Sequence, residues 1–262
     1  MNEQDLELEE TKLTRFITQL KRSFVIAKKD LKIYYNKPPV LIQGILFPII
    51  LFIALTLGRN VGPIYMISGL MTMIIFLAST SIGPVIFPWE TARKTFERLV
   101  TCPISIKTIL LGSVWSTSIY GIIFSSIPLI IGVIFLSTEL TVNIPLIIAG
   151  IFIAGLAFAC FSLILSVPST DTPGNTMIFT VLIKFPLVFM SPLFMPIILS
   201  PITFISPLTY FIDIVNVGLG SISAFGPFGI LFDLGILVVF GLSFLFLAFI
   251  LHGKTLERRF RG

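Results

Sequence analysis

Apolar residues in this chain come in six long runs, and polar residues come in short clusters between them. The first run, Val40 to Leu57, has 18 residues, and at about 1.5 Å per residue it just crosses a hydrocarbon core of about 30 Å. The others fall at about 63–87, 106–136, 142–167, 175–199 and 229–251. Their length and apolar character predict an all-α integral membrane protein with six transmembrane helices inside a domain of residues 38–252. Gly58-Arg59-Asn60-Val61-Gly62 and the stretch from Pro168 to Gly174 read as tight turns. Gly83-Pro84 predicts a kink or early stop near the end of the second run, and Pro128 a bend in the third. Residues 200–228 are apolar too, but Pro201, Pro207, Gly218, Gly220 and Gly226-Pro227 interrupt them too often for one crossing helix. They predict a broken, re-entrant segment between spans five and six.

Two stretches carry a different period. After an acidic N-terminal tail of residues 1–10, residues 11–37 place Leu13, Phe16, Ile17, Leu20, Phe24, Ala27, Leu31 and Tyr34 on one helical face, with lysines and arginines largely opposite. Such a helix lies along a membrane surface, as a basic anchor to anionic lipid and as a place for a cytoplasmic partner. Between spans two and three, residues 89–101 repeat the pattern: Trp89, Ala92, Phe96, Leu99 and Val100 recur at spacings of three and four, and Glu90, Arg93, Lys94, Glu97 and Arg98 fill the other side. Pro103 stops that helix, because the residue before a proline is pushed out of the α region. Ser105 stands where its hydroxyl can accept from the free N–H groups of a helix starting at Ile106.

Composition and charge orient this scheme. The 262 residues are 55% hydrophobic and 12% charged, with a mean hydropathy of +1.03, far from a soluble domain. The net charge of +5 is concentrated: eight Lys and Arg precede the first span, four lie at Arg93, Lys94, Arg98 and Lys107, and four lie in the tail of residues 253–262. With six spans these segments share one side, which the positive-inside rule makes cytoplasmic, together with both termini. The charge is thus a topology signal, and no nucleic-acid partner is expected. The acidic, polar start is unlike a secretory signal peptide. Cys102 and Cys160 lack metal-ligand spacing and read as small apolar residues.

Candidate chemistry is sparse. His252 reads as a headgroup-level anchor beside basic residues. Gly253-Lys254-Thr255 looks like the end of a phosphate-binding loop, but the required first glycine would stand at 248, which is Ala248, and an apolar helix precedes it. Asp213 and Asp233 are not paired at any metal-binding spacing, and no metal site or catalytic residue is expected. Lys184 is the unusual residue, about ten residues or roughly 15 Å into the fifth span. An intramembrane lysine marks a pathway or a paired site unless its stem snorkels to water. An interior Lys184 would meet substrate or a carbonyl freed by Pro186.

Taken together, these residues carry a resemblance. Glu90, Thr95, Glu97 and Leu99, then Thr101-Cys102-Pro103-Ile104-Ser105 and Ile109-Leu110-Leu111-Gly112, resemble the cytoplasmic stretch of the permease subunit of type 2 ATP-binding cassette exporters. Ser206-Pro207-Leu208-Thr209-Tyr210-Phe211-Ile212-Asp213 is similar to that family's signature between the last two spans, and the amphipathic helix ending in Tyr34-Tyr35-Asn36-Lys37-Pro38-Pro39 to its opening. Lys94, Ile106, Ser113 and Asn216 depart from the usual residues. The resemblance implies a multi-pass plasma-membrane subunit that pairs with a second copy of itself or a related permease and with separate ATPase subunits, which would hold ATP and magnesium. This chain would bind no cofactor. The island of residues 89–101 would be the coupling helix, with Trp89, Glu90, Arg93, Lys94, Phe96, Glu97, Arg98, Pro103 and Ser105 as the ATPase-coupling residues, Pro207, Tyr210 and Asp213 as marks of the outer segment, and export as the direction. The alternative is a stand-alone secondary transporter or a membrane-embedded lipid-modifying enzyme; inverted repeats and intramembrane carboxylates would favour the transporter, and neither is evident.

Overall fold

The computed structural model describes residues 3–35, 37–58, 62–93, 95, 104–136, 142–167, 173–193 and 201–261, and these are helices joined by short turns, with no strand among them. α1 (Glu3–Tyr34) is one helix of 32 residues, so the acidic segment expected as a tail is its first part. Its packed face is narrower than the apolar stripe: Ser23, Ile26, Ala27, Asp30 and Tyr34 are buried, while Ile17, Phe24 and Ile33 stay exposed. That face meets the third span, α6 (Ile106–Leu136). Gly112 of α6 permits the approach, since a Cβ there would lie 2.7 Å from the Cβ of Ile26 and 2.9 Å from the carbonyl oxygen of Ser23. Phe24, although partly exposed, stacks on Trp115 of α6 with centroids 5.0 Å apart, while Ile17 and Ile33 remain an exposed apolar edge of the helix.

The first apolar run folds as α2 (Pro38–Leu41), a π-helical turn over Ile42–Leu46, and α3 (Phe47–Thr56). Pro48 explains the widened turn: it lacks the N–H that Gly44 would receive, and the backbone re-pairs with Phe47 donating to the carbonyl of Ile42. Gly58, at a φ of +80°, turns the chain. The second span breaks where Gly83-Pro84 predicts it, into α4 (Pro63–Ser81) and α5 (Gly83–Ala92), bent at Ile82. α5 continues through Pro88 to Ala92, so Trp89 and Glu90 end the second-span helix instead of starting a separate one. The helix expected over residues 89–101 is described only as far as this end and Thr95.

α7 (Ile144–Leu165), α8 (Pro173–Met190), α9 (Pro207–Gly218) and α10 (Gly229–Arg261) complete the chain. Pro63–Glu90, Ile106–Ile134, Ile144–Leu165 and Gly229–Thr255 are long and apolar enough to cross a membrane. Shorter apolar helices, Ile42–Ala54 and Gly174–Met190, stand in the places of the first and fifth spans. The core lies where α4, α7 and α9 meet, with Phe76 edge-on to Phe158 at 5.2 Å and Gly150 making room for Ile214. The interrupted segment thus contains a buried helix, α9, preceded by a single 3-10 turn, Thr203–Ile205. The basic tail continues α10, so Gly253-Lys254-Thr255 is helical and forms no phosphate-cradling loop.

Candidate functional site

The polar residues outside the apolar core gather where α1, the end of α5 and the start of α6 meet. Glu90 is only 2% exposed, and its carboxylate accepts from the Lys29 ammonium and from the Tyr34 hydroxyl, the latter at 3.3 Å. Lys29 also pairs with Asp30 at 3.0 Å, and Asp30 accepts from Ser113 of α6 at 3.4 Å. The Tyr34 ring stacks on Trp89 with centroids 5.6 Å apart, and the Lys37 ammonium lies 4.0 Å over the Trp89 ring, a cation–π contact. Near the end of α5 the Thr95 hydroxyl also donates to the Glu90 carbonyl, at 3.1 Å.

The electrostatics follow from this crowding. Burial alone would lower the Lys29 ammonium, but the carboxylates of Asp30 and Glu90 hold it above its ordinary range. Burial pushes the Asp30 carboxyl up to about 6 in spite of Lys29 beside it. Burial, with the Glu90 charge facing it, also raises the Tyr34 hydroxyl. Glu90 was expected to set register on a partner subunit; the structure instead places it inside the chain, as the joint between α1 and the second span. Arg93 is exposed, and Trp89 is half-buried. Lys94, Phe96, Glu97, Arg98 and Pro103 lie outside the described residues.

Ser105 stands at the start of α6. Its oxygen accepts from the Thr108 N–H at 3.2 Å, the N-cap bond expected of it. The Thr108 hydroxyl in turn donates to the Gln19 side chain of α1. α1 is therefore tied by side-chain hydrogen bonds to α5 through Glu90 and to α6 through Thr108 and Ser113, a convergence that sequence reading missed. The signal lay in polar residues, Ser23 and Asp30, falling on the face that turns inward.

Lys184 is buried, 1% exposed, and its ammonium donates to the Thr80 carbonyl at 2.5 Å. Sequence reading named a carbonyl freed by Pro186. The one engaged is freed by Pro84, which supplies no N–H to the carbonyl four residues before it. Lys184 thus fastens α8 to the kink of the second span. His252 is buried as well, its Nε2 lying 3.0 Å from both the Leu163 carbonyl and the Ser166 hydroxyl, so it joins α10 to the end of α7 instead of reaching the headgroups.

The outer-segment residues hold α9 and its flanks. Pro207 occupies its first turn. The Tyr210 hydroxyl donates to the Phe204 carbonyl at 3.0 Å. Asp213 accepts from the Ser223 hydroxyl at 2.6 Å and the Ala224 N–H at 3.0 Å, closing the turn that follows the helix. Among the described residues, no group of three or more His, Cys, Asp or Glu could hold a metal ion.

No curated protein matches the chain. A family model, the ABC-2 type transporter, matches residues 16–219, from the middle of α1 through α9, and so takes in the joint at Glu90. The chain therefore belongs to the ABC-2 type transporter family, as a multi-pass helical membrane component.

Proposed function

We propose that this chain is the permease subunit of an ABC exporter in the plasma membrane. It crosses the membrane six times, with its short first and fifth helices completing the four long ones and with both termini in the cytoplasm. Two permeases, identical or related, form the translocation path, and separate ATPase subunits bind ATP and magnesium and drive it. The observation that carries this reading is the joint at Glu90. A basic interfacial helix, the end of the second span and the start of the third are locked by Lys29, Tyr34, Asp30, Ser113 and Thr108 at the point where the charged island begins. A force applied to the island by a docked ATPase would reach three membrane elements at once, because buried ionic contacts resist sliding where a flexible loop would absorb the push.

On this reading Trp89, Arg93, Lys94, Phe96, Glu97 and Arg98 are the docking stretch, Pro103 and Ser105 the hinge into the third span, and Glu90 the strut behind them. Lys184 belongs to the pathway: it is an intramembrane cation, held by one carbonyl on a kinked helix, and a kink is where a span can change shape. The test is purification through a tag on this chain in mild detergent. An ATPase subunit with a phosphate-binding loop should co-purify, and its hydrolysis should be stimulated by some member of a panel of drugs, lipids, glycans and ions. A chain that purifies without any ATPase and moves substrate without ATP would overturn the reading.

A further inference from the structure

α3, α4 and α6 line a partly open cavity of about 500 Å³. Its existence follows from where α6 is held. Gly121 presses against Ser79 of α4 and Gly132 against Ile67, where an added Cβ would lie 1.9 Å from the Ser79 hydroxyl and 2.4 Å from the end of Ile67. Between these two contacts Pro128 stands inside the helix and supplies no N–H to Phe124, and both residues line the space. The opposite wall is α3, from Ile49 and Phe52 to Leu57. From Ile45 to Leu57 the wall is thirteen residues, twelve helical steps or roughly 18 Å. That is a little over half of a hydrocarbon core of about 30 Å. The end at Leu57 and Met66 is the one away from Glu90, so the cavity runs down the leaflet opposite the Lys29–Glu90 joint.

Its chemistry admits only an apolar occupant. Thr56 is the sole polar side chain in the lining, and its hydroxyl already donates to the Phe52 carbonyl at 2.8 Å. A ligand with polar groups would lose hydration there and gain no hydrogen bond. Water is excluded for the same reason, as an apolar cavity of about 150 Å³ already stays dry and takes benzene. An empty space of this size would forfeit the dispersion contacts of its walls. The rim is open to the surrounding hydrocarbon: Ile53 is 51%, Leu57 78%, Met66 45% and Ile131 52% exposed. The walls are thus continuous with the lipid-facing surface. We propose that this cavity is a binding site for one acyl chain of a membrane lipid, seated between the first, second and third spans in the leaflet opposite the Glu90 joint.

The test uses the full chain reconstituted with phosphatidylcholine carrying a photoreactive group at mid-chain. Labelled peptides are mapped in the wild type and in Ile49→Phe and Leu70→Phe, which fill the space, with Leu242→Phe on the exposed face of α10 as a control. Labelling of the wild type should concentrate on residues 45–57 and 124–132, fall at least fivefold in either filled variant, and persist in the control. If the filled variants do not fold, the wild-type map still decides, because labelling spread evenly over α10 and the other exposed helices would overturn the proposal. Equal labelling of wild type and a folded filled variant would also overturn it. So would absence of label in this region with loss of self-association in the filled variants, which would make the cavity the seat of a second copy.

Discussion

Lys184 carries the sharpest question at the scale of single residues. Its ammonium satisfies the Thr80 carbonyl, which Pro84 leaves without its helical donor. Lys184→Leu exposes that carbonyl to a site without a donor, at a cost of about 1–3 kcal/mol, and melting should drop by about 2–4 °C per kcal/mol for a chain of this size. A pathway role requires more: transport in reconstituted vesicles should fall beyond what the lost stability explains, and unchanged transport rates would remove Lys184 from the pathway. Asp30 gives a prediction in pH. Its folded value, about 6, lies above the ordinary 3.8. Its contribution is therefore fully present below the ordinary value and is lost as pH rises through about 6, an amount on the order of 3 kcal/mol at most. The thermal stability of the solubilised protein should fall between about pH 4 and pH 7, and Asp30→Asn should flatten that fall. A wild-type curve that rises over the same window would contradict the buried, desolvated carboxyl.

Among the elements, α1 shows where sequence pattern reaches and where it stops. Its helix over residues 11–34 is legible from the apolar stripe, though its start at Glu3 is not, and the capped start of α6 at Ser105 is legible too, because these depend on neighbours in sequence. The face it buries is not legible. Ser23 and Asp30 turn inward because α6 offers Gly112 and Ser113, residues more than 80 positions away. The Lys29–Glu90 contact spans 61 positions and links two charges that each read as solvent-facing. The kink at Gly83-Pro84 is local and was readable; the lysine that satisfies it, 104 positions from Thr80, was not. The outer segment behaves the same way, its breaks readable from proline and glycine, its burial as α9 dependent on α4, α7 and α10. Gly112→Val tests the α1 contact directly. Overpacking against Ile26 should cost about 1–3 kcal/mol and make α1 more accessible to protease. Ile26→Ala in the same chain should recover part of the loss, since the two sites share one contact. Independent, additive effects would mean that α1 is held elsewhere.

The whole molecule is a helical bundle whose ion pairs, among the described residues, lie at one end, where Lys29 meets Asp30 and Glu90. The joint at α1, α5 and α6 is ionic, while α8 is attached to its neighbours chiefly through α5 and the turn at Thr203–Ile205. A push at the joint would be carried along the second span to its kink and, through Lys184, to α8. Glu90 is the first link in that chain of contacts, buried beside Tyr34 and paired with the partly exposed Lys29. Reversing its charge sets two ammonium groups against each other in a desolvated place, without touching an ATP site. The most direct measurement is therefore ATP consumed per substrate moved in proteoliposomes holding the complete complex, wild type against Glu90→Lys. The account predicts that the variant keeps its ATPase subunit and continues to hydrolyse ATP while substrate movement falls tenfold or more; a variant with normal coupled turnover would contradict it.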